Sequence, residues 1–119
     1  MKFIHRHHGQ HLIIELEGRL YDQLQAGDIE FITQPHVQES SGNLILDVSK
    51  LEHINSSGLN LLLKLLNTYK TQNRSVIVVG ANQAVNGVFS ITKLNRVFVL
   101  VDSLDEAVQV NNVQKISHT

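Results

Sequence analysis

Two serines and a glycine, Ser56-Ser57-Gly58, stand where an apolar strand-like run gives way to an apolar helix-like one. Leu44 to Val48 is short and rich in branched residues, as in a strand covered on both faces. Leu59, Leu62, Leu63, Leu66 and Tyr69 then recur at three- and four-residue spacing, so the period changes from strand to helix between the two. The first amides of a helix lack intrahelical partners and the macrodipole is positive there, so a negative group is welcome. A hydroxyl in that place has two chemistries. As an N-cap it accepts a hydrogen bond from the helix, worth about 1 kcal/mol. As a phosphate carrier it gains roughly −1.5 to −2 charges and three acceptor oxygens, which a helix N-terminus tolerates. Ser56 is open to both readings, and Ser57 reads as a cap or first-turn residue. Gly58 either lets a partner or nucleotide approach closely or reflects tight packing.

Other reactive side chains form weaker patterns. His5, His7, His8 and His11 lie close together, and a hairpin would bring His11 near the others. No carboxylate or thiol joins them at ligand spacing, so they read as solvated residues and no metal is expected. His53 precedes Ser56 by three residues, but no acid is placed to orient it as in a catalytic triad. There is no phosphate-binding glycine loop of the Walker type. The chain is therefore read as a non-enzyme without a cofactor.

The composition bounds the setting. A chain of 119 residues, 42% hydrophobic and 18% charged, suits one globular domain with a real core. A net charge of −1 gives no broad basic surface, so neither nucleic acid nor an anionic membrane is expected as a partner. The absence of cysteine rules out disulfides and thiolate zinc sites and fits a reducing compartment. The N-terminus lacks the apolar stretch of a signal peptide, and no run has the length of a membrane span. A soluble, cytoplasmic domain is the expectation.

Positioning Ser56 falls to the remaining elements. Phe3 to His5 and Leu12 to Glu17 read as strands joined near Gly9-Gln10, a hairpin, with Gly18 ending the second. A helix starting at Asp22 carries Ala26, Ile29 and Ile32; Gly27 weakens it and Pro35 is expected to kink or end it. Ser40-Ser41-Gly42-Asn43 signals a loop, Leu44 to Val48 a strand, and Ser49 to Asn55 a loop at that strand's carboxyl end. A helix from Ser57 to Thr71, a strand from Ser75 to Val79 and a short helix through Val85 and Phe89 follow. A last strand within Leu94 to Val101, around Val97, and a helix capped at Asp102-Ser103 complete the domain, residues 1–110, before a polar tail, 111–119. A hairpin followed by alternating helix and strand predicts an α/β fold, a mixed sheet with helices packed against it. Functional groups in such sheets gather at the carboxyl ends of strands, which favours Ser56. Leu61 and Leu65 fall on a flank of the apolar stripe: they either widen the buried face or form an apolar rim beside Ser56 for a partner.

Leu46-Asp47-Val48-Ser49, Leu51 and Ile54-Asn55-Ser56-Ser57-Gly58-Leu59, with the leucine-rich helix behind them, resemble the STAS domain of bacterial anti-sigma factor antagonists. Val76 to Val79, Val85 to Phe89 and Val101 to Ala107 resemble that family's later half. The resemblance spans about residues 10–108, and its central motif is the specific part. It implies that Ser56, the first serine of the family's Asp-Ser-Ser-Gly motif, is the phosphorylated residue. Three departures stand out. Asn55 replaces the family's Asp. Gly18-Arg19-Leu20-Tyr21-Asp22 has one residue more than the family's Gly-x-Leu-Asp, so Asp22 becomes the acidic counterpart with Tyr21 inserted. Thr92-Lys93-Leu94 carries no glycine before its leucine.

The implied function is a phosphorylation-switched interaction module. Unphosphorylated, it would bind an anti-sigma factor of the histidine-kinase-like ATPase type and release the sigma factor; phosphorylation of Ser56 would break the complex and a phosphatase would reset it. The implied partner surface comprises Asp22, Asn55, Ser57, Gly58, Leu61 and Leu65. Two alternatives keep the fold: a STAS scaffold or regulatory subunit of a stress-sensing or lipid-transport complex, and a nucleotide-binding STAS module using the same strand-end loop.

Overall fold

The structure, a computed structural model, describes residues 2–20 and 23–110, and for residues 20 and 23–26 the backbone alone. Asp22, Tyr21 and the tail 111–119 lie outside the described residues. Strands β1 (Lys2–His8) and β2 (His11–Leu20) pair antiparallel around Gly9-Gln10, with His8 opposite His11. Gly9 takes the positive φ, 59°, that so tight a turn requires. Helix α1 (Gln23–Glu39), strand β3 (Leu44–Ile54), helix α2 (Ser56–Lys70), strand β4 (Val76–Val79), helix α3 (Gln83–Ile91), strand β5 (Val99–Val101) and helix α4 (Leu104–Val108) follow.

The strands lie in the order β1-β2-β3-β4-β5, and every pairing after the first is parallel. Each crossover thus advances one place in the same direction. Right-handed connections made that way put α1, α2 and α3 on one face. The alternation of strand side chains explains the two cores. Leu12, Ile14, Leu16, Leu44, Leu46, Val48, Val76 and Val78 face the three helices and bury Ile29, Leu62, Leu66, Tyr69, Val85 and Phe89 with them. The intervening Ile13, Ile45, Ile77 and Val79 face the other way and pack on Ala107 of α4. The apolar runs of β3 and β4 have no polar alternation because both faces are covered.

Several expectations are corrected. Ser49 to Ile54 is not a loop: β3 continues through it, paired with β2 beyond the last β4 partner, Asp47. Between Leu12↔Leu44 and Leu20↔Ile54, β2 advances eight residues and β3 ten, so β3 carries two bulged residues. The first bulge is held by Asp47, whose Oδ1 accepts from the Ser49 amide at 3.0 Å and the Ser49 hydroxyl at 2.7 Å. Gly18 does not end β2; at φ 97° it sits within the strand, beside the second shift in register. Pro35 does not end α1, which runs four residues past it to Glu39. The carbonyl deprived of a donor is that of Phe31, a residue on the exposed side of the helix. Thr33 and His36, buried on either side of the proline, hold the helix against the core. The last strand lies within Leu94 to Val101 as expected but is confined to Val99–Val101, not centred on Val97, behind a 3-10 turn at Leu94–Arg96. Lys93, where the resembled family has glycine, adopts the left-handed conformation at φ 61°.

Candidate functional site

The extension of β3 carries the motif to the carboxyl edge of the sheet. Leu20 pairs with Ile54, so β2 ends beside the start of α2. On the other flank Asn82 performs two tasks. Its Oδ1 accepts from the Val85 amide at 2.9 Å and so caps α3, while its Nδ2 donates to the Leu51 carbonyl at 3.0 Å. It ties the start of α3 to the overhanging half of β3. Gly80, at φ 72°, lets the following turn close on β3, since a Cβ there would lie 2.9 Å from that of Ser49. Sequence reasoning did not single out Asn82, although an asparagine three residues before buried Val85 is a readable N-cap signal.

At the apex the cap is Asn55, not Ser56. Asn55 is extended, with φ −106° and ψ −174°, and its Oδ1 accepts from the Gly58 amide at 3.0 Å. Its carbonyl accepts from Leu59 at 2.9 Å, the first bond of the helix. Ser56 and Ser57 therefore occupy the first two helical positions. Asparagine supplies the acceptor oxygen the cap needs, so the loss of the family's carboxylate leaves the local fold intact. Ser56 is exposed, and its hydroxyl makes no hydrogen bond to another described residue. The first turn of α2 carries no acidic residue, so a phosphoryl group on Ser56 would meet the positive helix end without a like charge from that turn.

Ser57 is half-buried and lines a cleft between α1 and α2 with Gly27, Glu30, Asn60, Lys64 and Asn67. Lys64 and Glu30 approach to 3.8 Å across it, an exposed pair of little energetic weight. Gly58 is buried under the serines and gives its amide to the cap, which favours the packing reading of that residue. Of the two readings of Leu61 and Leu65, the burial favours the first: at 2% and 4% exposure they widen the buried face of α2 rather than form an apolar rim. A helix lying on a sheet buries a face wider than its strict stripe, and both leucines fall inside it. Asp22, the expected acidic partner, lies outside the described residues. Among the described residues no three His, Asp or Glu side chains are grouped to hold a metal ion. No described helix is long and apolar enough to cross a membrane.

A sequence profile of the STAS domain matches residues 2–107, and the chain belongs to that family. Solved structures share the architecture. A Thermotoga maritima protein superposes with a TM-score of 0.79 at 21% identity, over 88% of this chain and 90% of the other. An anti-sigma factor antagonist from Mycobacterium paratuberculosis does so at 0.72 and 23%, over 92% and 94%. The Bacillus cell fate determinant SpoIIAA in its phosphorylated form gives 0.72 and 18%, over 97% and 99%. At these identities the likeness is one of fold.

Proposed function

We propose that this chain is an anti-sigma factor antagonist whose binding is switched by phosphorylation of Ser56. The observation that carries the reading is the division of labour at the start of α2: Asn55 caps the helix, and the exposed Ser56 hydroxyl is left without a structural duty. Membership of the STAS family and a fold shared with SpoIIAA, whose phosphorylated form has been solved, support it. Unphosphorylated, the domain binds an anti-sigma factor of the histidine-kinase-like ATPase type in the cytoplasm. Asn55 and Ser57 flank the contact, Gly58 lies beneath them, and Asp22 is the acidic residue that completes it.

The partner, not this chain, supplies the catalysis. Its ATP and Mg²⁺ deliver the γ-phosphoryl group to the Ser56 Oγ, the hydroxyl proton leaves, and ADP is released. The helix end accommodates the new charge, whereas a docked surface must desolvate it. A loss of about 1.4 kcal/mol already weakens the complex tenfold. A phosphatase resets the switch.

The test is incubation with the candidate kinase and ATP, followed by mass spectrometry and binding titrations. Modification at Ser56 and weakened binding of Ser56→Asp are expected. Phosphate on another residue, or Ser56→Asp binding as tightly as the parent, would refute the reading.

A further inference from the structure

The opposite end of the sheet holds a buried polar knot that plays no part in the Ser56 chemistry. Its centre is His36, 3% exposed, in the last turns of α1. The Nε2 atom lies 2.7 Å from the Gln10 carbonyl in the β1–β2 turn. A carbonyl only accepts, so Nε2 carries the hydrogen. The Nδ1 atom lies 2.6 Å from the Tyr69 hydroxyl and 3.2 Å from Arg74 Nη2. A guanidinium only donates, so Nδ1 is a bare acceptor and the imidazole is neutral. Burial pushes the Tyr69 phenol well above its ordinary value, which keeps it a donor.

Arg74 completes the knot. It donates to the carbonyls of Gly42 at 2.6 Å, Val37 at 3.1 Å and His36 at 3.3 Å, and lies 4.7 Å from the centre of the Tyr69 ring. Two of those carbonyls belong to the end of α1, so the guanidinium caps that helix in place of a C-terminal glycine. The hairpin turn, the end of α1, the loop before β3 and the end of α2 are thus joined through one imidazole and one guanidinium.

A proton on Nδ1 has nowhere to go in this arrangement. It would point at the Arg74 donors and take away the acceptor used by Tyr69. The other titratable groups facing the ring are His7 of β1, with ring centres 6.2 Å apart, and His11 of β2. Like Arg74, both are cationic when protonated, and no carboxylate among the described residues bonds to the ring.

We propose that His36 is an acid-sensitive latch: neutral, it fastens the end of α1 to α2 and the hairpin, and protonation lets that end go. Burial, aided by Arg74, lowers the affinity of His36 for a proton. The unfolded or released chain therefore takes up the proton first, and the latched state loses ground as pH falls below about 6.5. The same α1 forms one wall of the cleft that reaches Ser57, so release loosens a wall of the proposed partner surface. That consequence rests on the reading of Ser56; the latch does not.

The test needs no partner. Ring ¹⁵N shifts of the full chain should give a neutral His36 with the hydrogen on Nε2 at pH 7.5. Amide exchange, corrected for the intrinsic pH dependence, should become at least tenfold faster at pH 5 for residues 32–39, while the amides of β3 and β4 hold. His36→Gln, neutral at both pH values, should abolish the difference, and His7→Gln and His11→Gln should retain it. A hydrogen on Nδ1, equal exchange at both pH values, or a pH effect that survives His36→Gln would overturn the proposal. Should His36→Gln not fold, the ring titration of the parent decides: a His36 that stays neutral while residues 32–39 open would overturn it equally.

Discussion

Replacing Asn55 by alanine isolates the bond that starts α2. The residue lost is an acceptor at 3.0 Å from the Gly58 amide, and nothing else in the first turn takes its place. N-cap removal costs about 0.5–2 kcal/mol, typically near 1. Gly58 is buried, so its orphaned N–H is not freely rehydrated and the cost belongs in the upper half of that range. For a domain of 119 residues this lowers Tm by about 4–8 °C. Asn55→Asp keeps the acceptor and adds a negative charge at the positive helix end, a gain of about 0.3–1 kcal/mol at low salt that fades as salt is added. Ser56→Ala removes an exposed hydroxyl with no cap bond and stays within about 0.5 kcal/mol of the parent. Urea titrations followed by far-ultraviolet circular dichroism would rank the three. A Ser56→Ala loss equal to that of Asn55→Ala would refute the assignment of the cap, and with it the argument that Ser56 is structurally free.

Leu61→Ala and Leu65→Ala should each destabilise by about 2–5 kcal/mol, since both side chains are buried in the principal core. Changes below 0.5 kcal/mol in the same urea assay, with partner binding weakened, would return them to the surface. Gly42→Ala should cost about 1–3 kcal/mol or more, because its Cβ would overlap the Gln10 carbonyl and push the hairpin turn off the loop before β3. A thermal melt indistinguishable from the parent would show that this close approach is not maintained in solution.

The parts of the fold legible in the sequence were those that bury a regular face. Leu44 to Val48, Val76 to Val79 and the stripe of α2 gave the right elements because covered strands and amphipathic helices print their surroundings onto the chain. What could not be read depended on residues far apart. The second half of β3 looks like a loop since Ser49, Lys50, Glu52 and His53 are polar; it is a strand because β2 pairs with it, its polar residues exposed while Leu51 and Ile54 turn into the core. Pro35 reads as a helix breaker until His36, Tyr69, Arg74 and Gln10, separated by up to 64 residues, are seen to hold the following turn. The register of the cap was missed by one residue because serine and asparagine are equally good caps, and only the backbone conformation at Asn55 chooses between them.

That one-residue shift bears on how the switch would work. A cap needs an oxygen lone pair, which aspartate and asparagine both supply, so the cap forms with either at residue 55 and the charge adds only a modest, salt-screened increment. The phosphoryl group is more sensitive to that charge. On Ser56 it would stand next to a carboxylate in a chain with Asp, and two like charges at that spacing oppose each other by an amount set by solvent screening. With Asn55 that opposition is absent, while the attraction of the α2 N-terminus for the phosphate remains. On the proposed reading, the substitution therefore biases this domain toward its phosphorylated, partner-free form. The bias lies in the relative energy of the modified state, and leaves the capped helix that presents Ser56 in place.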